Sequence, residues 1–409
     1  MSDTTRATAV AANSWVREKI FLGLTPREYV KSLLTLPNLV IAVILAAGIP
    51  CLVLRFAKGL GAASNLSQSY PWGLWVAFDV ISGVALAAGG YTVACAVYIF
   101  GQKLYRPVLR PAILTGFLGY LFVLIGLVVD LGQPWRLPYQ FFLTPGTTAV
   151  MYEVGWCVFL YLIVLALEFA PAALEWLGLD KLRRLLEMAS IGIIVLGVTL
   201  STLHQSSLGA FFLMTPDKLH PFWYSPFLPI FFFISSITAG IGMVIVESTL
   251  SHRAFHDRLD PKAPVDMDGI TLGLAKAGAL VLFAYFFIRL QGLAGSGRWD
   301  LLLTGWGAWY GVEMLGFILL PSLLFLVAVR RGSVRLARIG SVLTVLGVLL
   351  NRFNVSLIAY NWTLPNRYVP AAAEVLISLT IVTLGVVVFR WIVNRMPVLA
   401  EHPDYRGSH

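Results

Sequence analysis

Charged residues and cysteine are scarce in this chain, and their scarcity excludes several classes of protein. Only 12% of the 409 residues are charged, against 58% that are hydrophobic. A soluble domain of this size needs a far more polar surface. The three cysteines, Cys51, Cys95 and Cys157, stand alone inside apolar stretches, without the paired spacing of a zinc site or an iron–sulfur cluster. We therefore expect an integral membrane protein with no metal site of its own.

Histidine is equally scarce where a haem would need it. A bis-histidine haem requires histidines that face each other from two membrane helices. Among six histidines, only His204 touches an apolar stretch long enough to cross a membrane. The other five are His220, His252, His256, His402 and His409. We expect no haem in this chain.

What the chain does contain is apolar stretches of about 20 residues, the length that crosses a hydrocarbon core of ~30 Å. They predict ten transmembrane helices at 37–58, 73–100, 112–130, 149–170, 187–207, 227–250, 270–291, 306–329, 336–357 and 370–393. No charged leader with an apolar core and a cleavage site precedes them, so no cleaved signal peptide is expected. Thr25 to Glu28 instead forms a capping-box sequence with proline at the first helical position, which predicts a short interfacial helix.

The basic residues alternate between connections. Lys and Arg crowd the N-terminal segment and every second connection after it, and the other connections carry few. The positive-inside rule then places both termini in the cytoplasm, for a multi-pass protein of the bacterial inner membrane. The predicted parts are a cytoplasmic segment 1–35, helices one to six over 36–250, a cytoplasmic loop 251–269, helices seven to ten over 270–393 and a cytoplasmic tail 394–409. Orientation explains the net charge of +9, so we assign no nucleic-acid partner.

Ionisable residues near the outer ends of four consecutive spans are the first candidates for a functional site. Asp79 lies about 10 Å inside the second span, counted from Trp72. Asp130 ends the third span, Glu153 begins the fourth and His204 closes the fifth. Such groups are expensive in a membrane and usually face a bundle interior or a wet cavity. We predict that the four converge; the alternatives are solvated helix ends for Asp130 and His204, and a structural pair for Asp79 and Glu153.

Three more carboxylates fall within the spans. Glu168 and Glu247 lie near cytoplasmic ends, where a solvated helix end is the alternative, and Glu313 lies about seven residues inside the eighth span. A buried carboxylate is a suitable proton carrier. They are candidates for the remainder of a proton path.

The outer connections are aromatic and rich in proline. The stretches "YPWGLWVAFD", "DLGQPWRLPY" and "HPFWYSPFLP" are almost free of lysine. An interfacial aromatic belt accounts for single Trp and Tyr residues. Proline-stiffened aromatic loops on one side indicate a docking surface or the mouth of a ligand site.

Several of these stretches resemble a known family. "PWGLWVAFD", "DLGQPWRLPY", "LHQSSLGA" and "LHPFWYSPFLP" are similar to the NrfD/PsrC-type quinone-interacting membrane subunits, above all to the HybB-like branch from periplasmic nickel–iron hydrogenases. The resemblance is densest from residue 70 to about 250. It implies an all-α fold of ten helices, with two four-helix bundles plus extra helices. It also implies binding of menaquinone or ubiquinone, with no redox cofactor in the chain.

The resemblance further implies partners and a direction. Electrons from H2 would pass from hydrogenase large and small subunits, through a four-cluster ferredoxin-like subunit docked outside, to menaquinone. Two alternatives stay open. One is the quinol-oxidising or quinone-reducing anchor of a molybdoenzyme or multihaem cytochrome complex. The other is a secondary transporter, for which the inverted repeat would be the faint echo between "YEVGWCVFLYL" and "YGVEMLGFILL".

Quinone chemistry assigns roles to these residues. Reduction to quinol takes two electrons and two protons, so the headgroup needs hydrogen-bond donors and a proton source. We predict that His204, Gln205 and Ser206 form a shelf for the headgroup, since histidine supplies both a donor and a titratable proton. Glu153 is the first choice for proton transfer, followed by Asp79 and Asp130. The aromatic residues that would line the mouth are Trp72, Trp135 and Tyr152.

Overall fold

The computed structural model describes residues 15–143, 146–256 and 265–399. Parts of the predicted N-terminal segment, of the loop 251–269 and of the tail lie outside the described residues, as do residues 144–145 between the third and fourth helices. Within the described ranges the chain is helical, and the β-structure is a single isolated bridge between Leu219 and Tyr360.

Ten helices of the described chain are long and apolar enough to cross a membrane. This confirms the predicted all-α polytopic fold. The helices are α1 (Leu36–Lys58), α2 (Trp75–Ile99), α3 (Lys103–Asp130), α4 (Val150–Leu177), α5 (Asp180–Met214), α6 (Leu228–Ala254), α7 (Met267–Ser296), α8 (Gly305–Arg331), α9 (Val334–Ile358) and α10 (Ala372–Val393).

The largest difference from the predicted spans concerns α5. It was expected over 187–207 and runs over Asp180–Met214, because an apolar window detects only the part of a helix that lipid would contact. His204 therefore lies ten residues before the end of α5, about 15 Å inside it. The interpretation of His204 as a solvated helix end is wrong.

The helices form two bundles, as the resemblance implied. Helices α2–α5 make the first bundle and α6–α9 the second, while α1 and α10 pair with each other and α10 packs on α3. The bundles meet where α2 crosses α6 at Gly89 and Gly240. A Cβ atom on Gly240 would come within 2.8 Å of the Ala88 carbonyl carbon, so only glycine permits this close approach.

The connections divide between two ends of the molecule. We call the end with the Lys- and Arg-rich connections the basic end, and the end with connections 59–74, 131–149, 215–227, 297–304 and 359–371 the aromatic end. At the aromatic end the two bundles are tied together by the backbone. The His220 N–H donates to the Ala359 carbonyl at 3.0 Å, and the Asn361 N–H donates to the Lys218 carbonyl at 2.7 Å.

Four π-helical segments interrupt the regular helices of the described chain. They are Trp75–Ser82 and Cys95–Ile99 in α2, Val312–Leu319 in α8 and Asn354–Ile358 in α9. Such segments rotate the side chains that follow them and occur frequently at functional sites. Asp79 and Glu313 both lie inside one, and both side chains are buried.

The short helix before α1 follows its predicted start. Helix Pro26–Ser32 begins with a capping box, in which the Glu28 N–H donates to Thr25 Oγ1 at 3.3 Å and the Thr25 N–H donates to Glu28 Oε2 at 2.8 Å. Two otherwise unsatisfied backbone N–H groups are bonded in this way.

Candidate functional site

Polar side chains follow the contact between α4 and α5 inward from the aromatic end. At the first level, Ser207 Oγ donates to Glu153 Oε1 at 2.8 Å. Glu153 lies in the first turn of α4 and is exposed. It stands at the entrance to the polar groups below it.

One turn deeper, His204 pairs with Tyr120. His204 is fully buried, and its Nδ1 lies 2.7 Å from the Leu200 carbonyl. A nitrogen that bonds a carbonyl must carry the proton, so Nε2 of the neutral ring accepts the hydrogen bond from the Tyr120 hydroxyl. The imidazole and the phenol thus form a buried pair across α3 and α5.

The next two residues of α5 are not arranged as the predicted shelf. Gln205 is 1% exposed, and its Nε2 donates to the Val84 carbonyl at 3.0 Å. Ser206 donates to the carbonyls of Thr202 and Leu203 in its own helix. His204 and Gln205 lie behind the surface instead of facing it, and a role for them in ligand binding stays a prediction.

The deeper levels hold polar atoms without partners. The Tyr161 ring packs edge-on against Tyr120 at 4.7 Å and lies 5.4 Å from the His204 ring. Its buried hydroxyl has no hydrogen-bond partner among the described residues, and neither does Oε2 of Glu168, two turns further along α4. Each such group costs roughly 1–3 kcal/mol.

Glu153, Ser207, His204, Tyr120, Tyr161 and Glu168 together are called the polar column. On α4, positions 153, 161 and 168 lie close to one helix face because they are about two turns apart. Gly197 of α5 leaves room beside the deepest member, since a Cβ atom there would lie 3.1 Å from Glu168 Oε1. The column begins at the aromatic end and points toward the basic end.

Glu247, another predicted path residue, lies on α6. Its Oε1 accepts a hydrogen bond from Ser251 at 2.7 Å, and its buried Oε2 has no partner in the described chain. It belongs to the half of α6 that leads to the basic end.

Asp79 and Asp130 form a second group, at the contact of α2, α3 and α10. The Ser378 hydroxyl donates to Asp79 Oδ2 at 2.5 Å. Arg55 of α1 lies near Asp130 and donates to the Val129 carbonyl at 2.7 Å and to the Leu131 carbonyl. Glu153 and His204 belong to the polar column, so the four ionisable groups predicted near the outer ends of the helices fall into two groups.

Glu313 occupies a third environment, inside the second bundle. It is fully buried, and the Arg289 guanidinium lies 3.1 Å from its Oε1. Asn351 donates to Oε1 at 2.7 Å, while Asn354 and Trp223 donate to Oε2 at 2.5 and 2.7 Å. This carboxylate is fully hydrogen-bonded.

The predicted mouth residues are distributed along the aromatic end. Trp72 packs against Phe211 at 4.7 Å and Tyr360 at 5.4 Å. The hydroxyl of Tyr152, next to Glu153, accepts a hydrogen bond from Trp156. Trp135 is 67% exposed, so it lies on the surface and does not line an enclosed site.

Sequence reasoning missed several members of these groups. Arg55, Arg289 and Arg352 are charged residues inside helices that could cross a membrane, and that rarity was an available signal. Tyr120 and Tyr161 gave no signal, because tyrosine is common in apolar helices. Their importance appears only from the side chains that they contact.

Two histidines of the described chain, His204 and His252, lie within membrane-type helices. His252 lies in the last turn of α6, which corrects the expectation that only His204 touches a span. His252 is at the basic end, however, and both ring nitrogens of His204 are hydrogen-bonded. Within the described ranges, no group of three or more His, Cys, Asp or Glu side chains is arranged to hold a metal ion.

Ten membrane-type helices in two bundles, with a buried polar column reaching one end, define a polytopic membrane protein built around internal ionisable groups. The family model described as "Polysulphide reductase, NrfD" matches residues 62–364, more than half of the chain. The chain belongs to the NrfD family.

Three relatives have informative coverage. A Nitratidesulfovibrio vulgaris protein, named only "Protein", is 51% identical over 93% of this chain and 98% of its own length. The Escherichia coli "Probable Ni/Fe-hydrogenase 2 b-type cytochrome subunit" is 32% identical, and the N. vulgaris "Menaquinone reductase, integral membrane subunit" is 24% identical. Each of these two alignments covers 85% of this chain and 88% of the relative.

Proposed function

We propose that this chain is the membrane subunit of a respiratory redox complex and exchanges electrons between an iron–sulfur partner and membrane quinone. The family and the names of the relatives support this proposal. The observation that carries it is the polar column, because quinone reduction consumes two protons for every two electrons. A membrane protein that serves this reaction needs a path for protons to its quinone site.

The headgroup would be held at the aromatic end, beside Glu153 and Ser207. Glu153 is exposed there and hydrogen-bonded to Ser207, so its carboxyl group can give a proton to a reduced quinone oxygen. Trp72 packs on Phe211, one turn beyond Ser207 on α5, and would supply an aromatic wall for the flat ring. Electrons would arrive from outside the membrane.

His204 and Tyr120 would return the proton to Glu153. A phenol that donates to a neutral imidazole can pass its proton toward the aromatic end and be reprotonated from the deeper side. Tyr161 and Glu168 continue the column, and their unsatisfied atoms offer sites where a proton is bound and released. Glu247 would serve the inner end. Whether the path crosses the whole membrane decides whether the step is electrogenic.

The alternation of basic and aromatic connections supports cytoplasmic termini in a bacterial inner membrane. The aromatic end would then face outward and receive the ferredoxin-like subunit over 59–72, 130–148 and 215–226. Residues 204–214, expected from the sequence to belong to the same face, lie within α5, where His204 is buried. Cross-linking of that partner to the basic end would contradict both the docking face and the orientation.

The relative at 32% identity favours a hydrogenase as the catalytic partner, with electrons from H2 reducing menaquinone. The menaquinone reductase relative, over the same share of the chain, supports a second candidate with a different catalytic subunit. Affinity purification of the chain from its native membrane distinguishes the two: hydrogenase large and small subunits are recovered in the first case, and a molybdoenzyme or multihaem cytochrome in the second.

Replacing Glu153 tests the proposed role most directly. Glu153→Gln keeps the shape and the hydrogen bond to Ser207 but removes the titrating proton. The purified complex should assemble and reduce a soluble artificial acceptor normally, while quinone-linked turnover falls by roughly 10²-fold. Asp300→Asn is the matched control, because Asp300 is an exposed carboxylate at the same end of the second bundle. Wild-type quinone turnover by the purified Glu153→Gln complex would refute the role.

A further inference from the structure

A cavity of about 210 Å³ opens at the basic end, between the N-terminal segment, the end of α4 and the chain that follows α10. Its lining includes Lys19, Glu175, Trp176, Asn394 and Arg395. Glu175 in the lining follows Glu168, the deepest member of the polar column, by seven residues of α4, about 10 Å along the helix. The proposed redox function assigns no role to this cavity.

Two cations line this cavity and bond only neutral oxygen atoms in the described chain. Lys19 Nζ donates to the Trp176 carbonyl at 3.0 Å. Arg395 donates to the Ile20 carbonyl at 2.7 and 3.0 Å and to the Tyr29 hydroxyl at 2.8 Å. Carbonyl and hydroxyl groups orient these side chains, but they do not balance two positive charges.

The acid in the lining does not balance them either. The Glu175 carboxylate lies 3.0 Å from the guanidinium of Arg110, which also donates to the Pro397 carbonyl at 2.9 Å. Glu175 therefore neutralises Arg110, and among the described lining residues the positive charges of Lys19 and Arg395 remain.

Aromatic rings place the cavity at the depth of lipid headgroups. The Trp176 ring lies 5.8 Å from Trp15 and 6.4 Å from Trp391. Tryptophan is enriched where the hydrocarbon core meets water. Basic pockets between membrane helices at this level bind anionic lipid headgroups, which are abundant in the cytoplasmic leaflet.

We propose that this cavity binds the phosphate headgroup of an anionic phospholipid, with Lys19 and Arg395 as the donors to the phosphate. An ammonium group has three N–H donors, and the Trp176 carbonyl takes only one from Lys19. The bound lipid would join the N-terminal segment to α4 and α10. The choice of leaflet rests on the proposed orientation, whereas the site itself does not rest on quinone chemistry.

Nanodiscs test the proposal with the purified full-length chain in its complex. One set contains phosphatidylcholine alone and the other adds phosphatidylglycerol. Phosphatidylglycerol should raise the unfolding temperature of the wild type and remain bound in native mass spectrometry. The double variant Lys19→Gln/Arg395→Gln should retain it about 30-fold less well, as expected for two charges near an anionic surface. Arg331→Gln, an exposed arginine at the same end, should behave like the wild type.

Three results would overturn the proposal. In the first, the double variant responds to phosphatidylglycerol as the control does. In the second, the double variant is destabilised equally in both lipids, because the two cations only cap the ends of α4 and α10. Inorganic phosphate could also reproduce the effect in phosphatidylcholine alone, which identifies a free anion as the ligand. If the double variant does not fold, the same measurements are made on Lys19→Gln alone, which loses only one hydrogen bond. Failure of the Glu153 experiment would leave all these results unchanged.

Discussion

Glu313 in the second bundle and Glu168 in the first are buried carboxylates with opposite hydrogen-bonding environments. In the second bundle, Glu313 receives hydrogen bonds or an ion pair from four side chains. In the first bundle, Glu168 keeps a buried oxygen without a described partner, and so does Tyr161. A carboxylate whose oxygen atoms are all hydrogen-bonded joins the helices that hold its partners. A carboxylate with an unbonded oxygen can gain or lose a proton without breaking such a contact. We infer that Glu313 belongs to the scaffold of the second bundle and that the groups around Glu168 carry protons.

This comparison changes the role expected for Glu313. Its depth alone made it a candidate for the proton path. Its partners instead join α7, α8 and α9 to the connection that holds Trp223. Arg352, fully buried nearby, lies 3.7 Å from the Phe232 ring and donates to Asn351 Oδ1 at 2.9 Å. We propose that Glu313 locks the second bundle and does not conduct protons.

The largest expected effect comes from removing the Glu313 carboxylate. Glu313→Ala leaves Arg289 buried without its counter-ion, so the free energy of unfolding should fall by about 3–5 kcal/mol. Unfolding temperature and the yield of folded chain in detergent measure the loss. Adding Arg289→Met should recover part of it, because the uncompensated charge is then gone. A Glu313→Ala protein that folds at wild-type yield but loses quinone turnover would mean that Glu313 acts in turnover and is not a structural residue.

The second prediction separates stability from proton transfer in the polar column. Tyr161→Phe removes a hydroxyl that has no described partner, so the free energy of unfolding should stay constant or rise by up to about 1 kcal/mol. Quinone-linked turnover should nevertheless fall by at least roughly tenfold, if the hydroxyl carries protons. Tyr120→Phe is the matched control, since it also removes the bond to His204 and should lower both quantities. Unchanged turnover in Tyr161→Phe would mean that Tyr161 carries no protons and that the proton path includes no member of the column beyond His204.

The smallest effect concerns the aromatic end, where the two bundles meet. His220 is packed between Trp306 at 4.9 Å and Trp362 at 4.6 Å, and its Nδ1 accepts the Phe222 N–H at 3.2 Å. Burial, with the positive charge of Arg298 nearby, lowers the pKa of His220 to about 4 from its ordinary value of 6.5.

The pH dependence follows from that lowered pKa. Between pH 6.5 and 4 the unfolded chain binds a proton that folded His220 does not, so this contribution to stability is complete above pH 6.5 and is lost as the pH falls toward 4. Unfolding temperatures between these values should therefore decrease with acidity. His220→Gln should show a shallower decrease than the wild type. Equal slopes would mean that His220 is protonated in the folded protein.

The sequence by itself determined the number of helices, their approximate bounds, the two kinds of end and the family resemblance. These are local properties: about 20 apolar residues cross a bilayer whatever they pack against, and the capping box at Thr25 uses residues three positions apart. The carboxylates themselves were also found, because a charge in an apolar stretch is visible without a fold.

Only the tertiary structure decided what each of those carboxylates does. Asp79 is bonded to Ser378, which is 299 positions away along the chain, and the π-helical segments that hold Asp79 and Glu313 alter the facing that a regular helix would predict. Whether a buried group has hydrogen-bond partners depends on side chains from helices that are distant in the sequence, and the sequence pattern does not show which helices are neighbours. For that reason Glu313 and Glu168 were both candidates for the proton path in the sequence, although their surroundings differ in the fold.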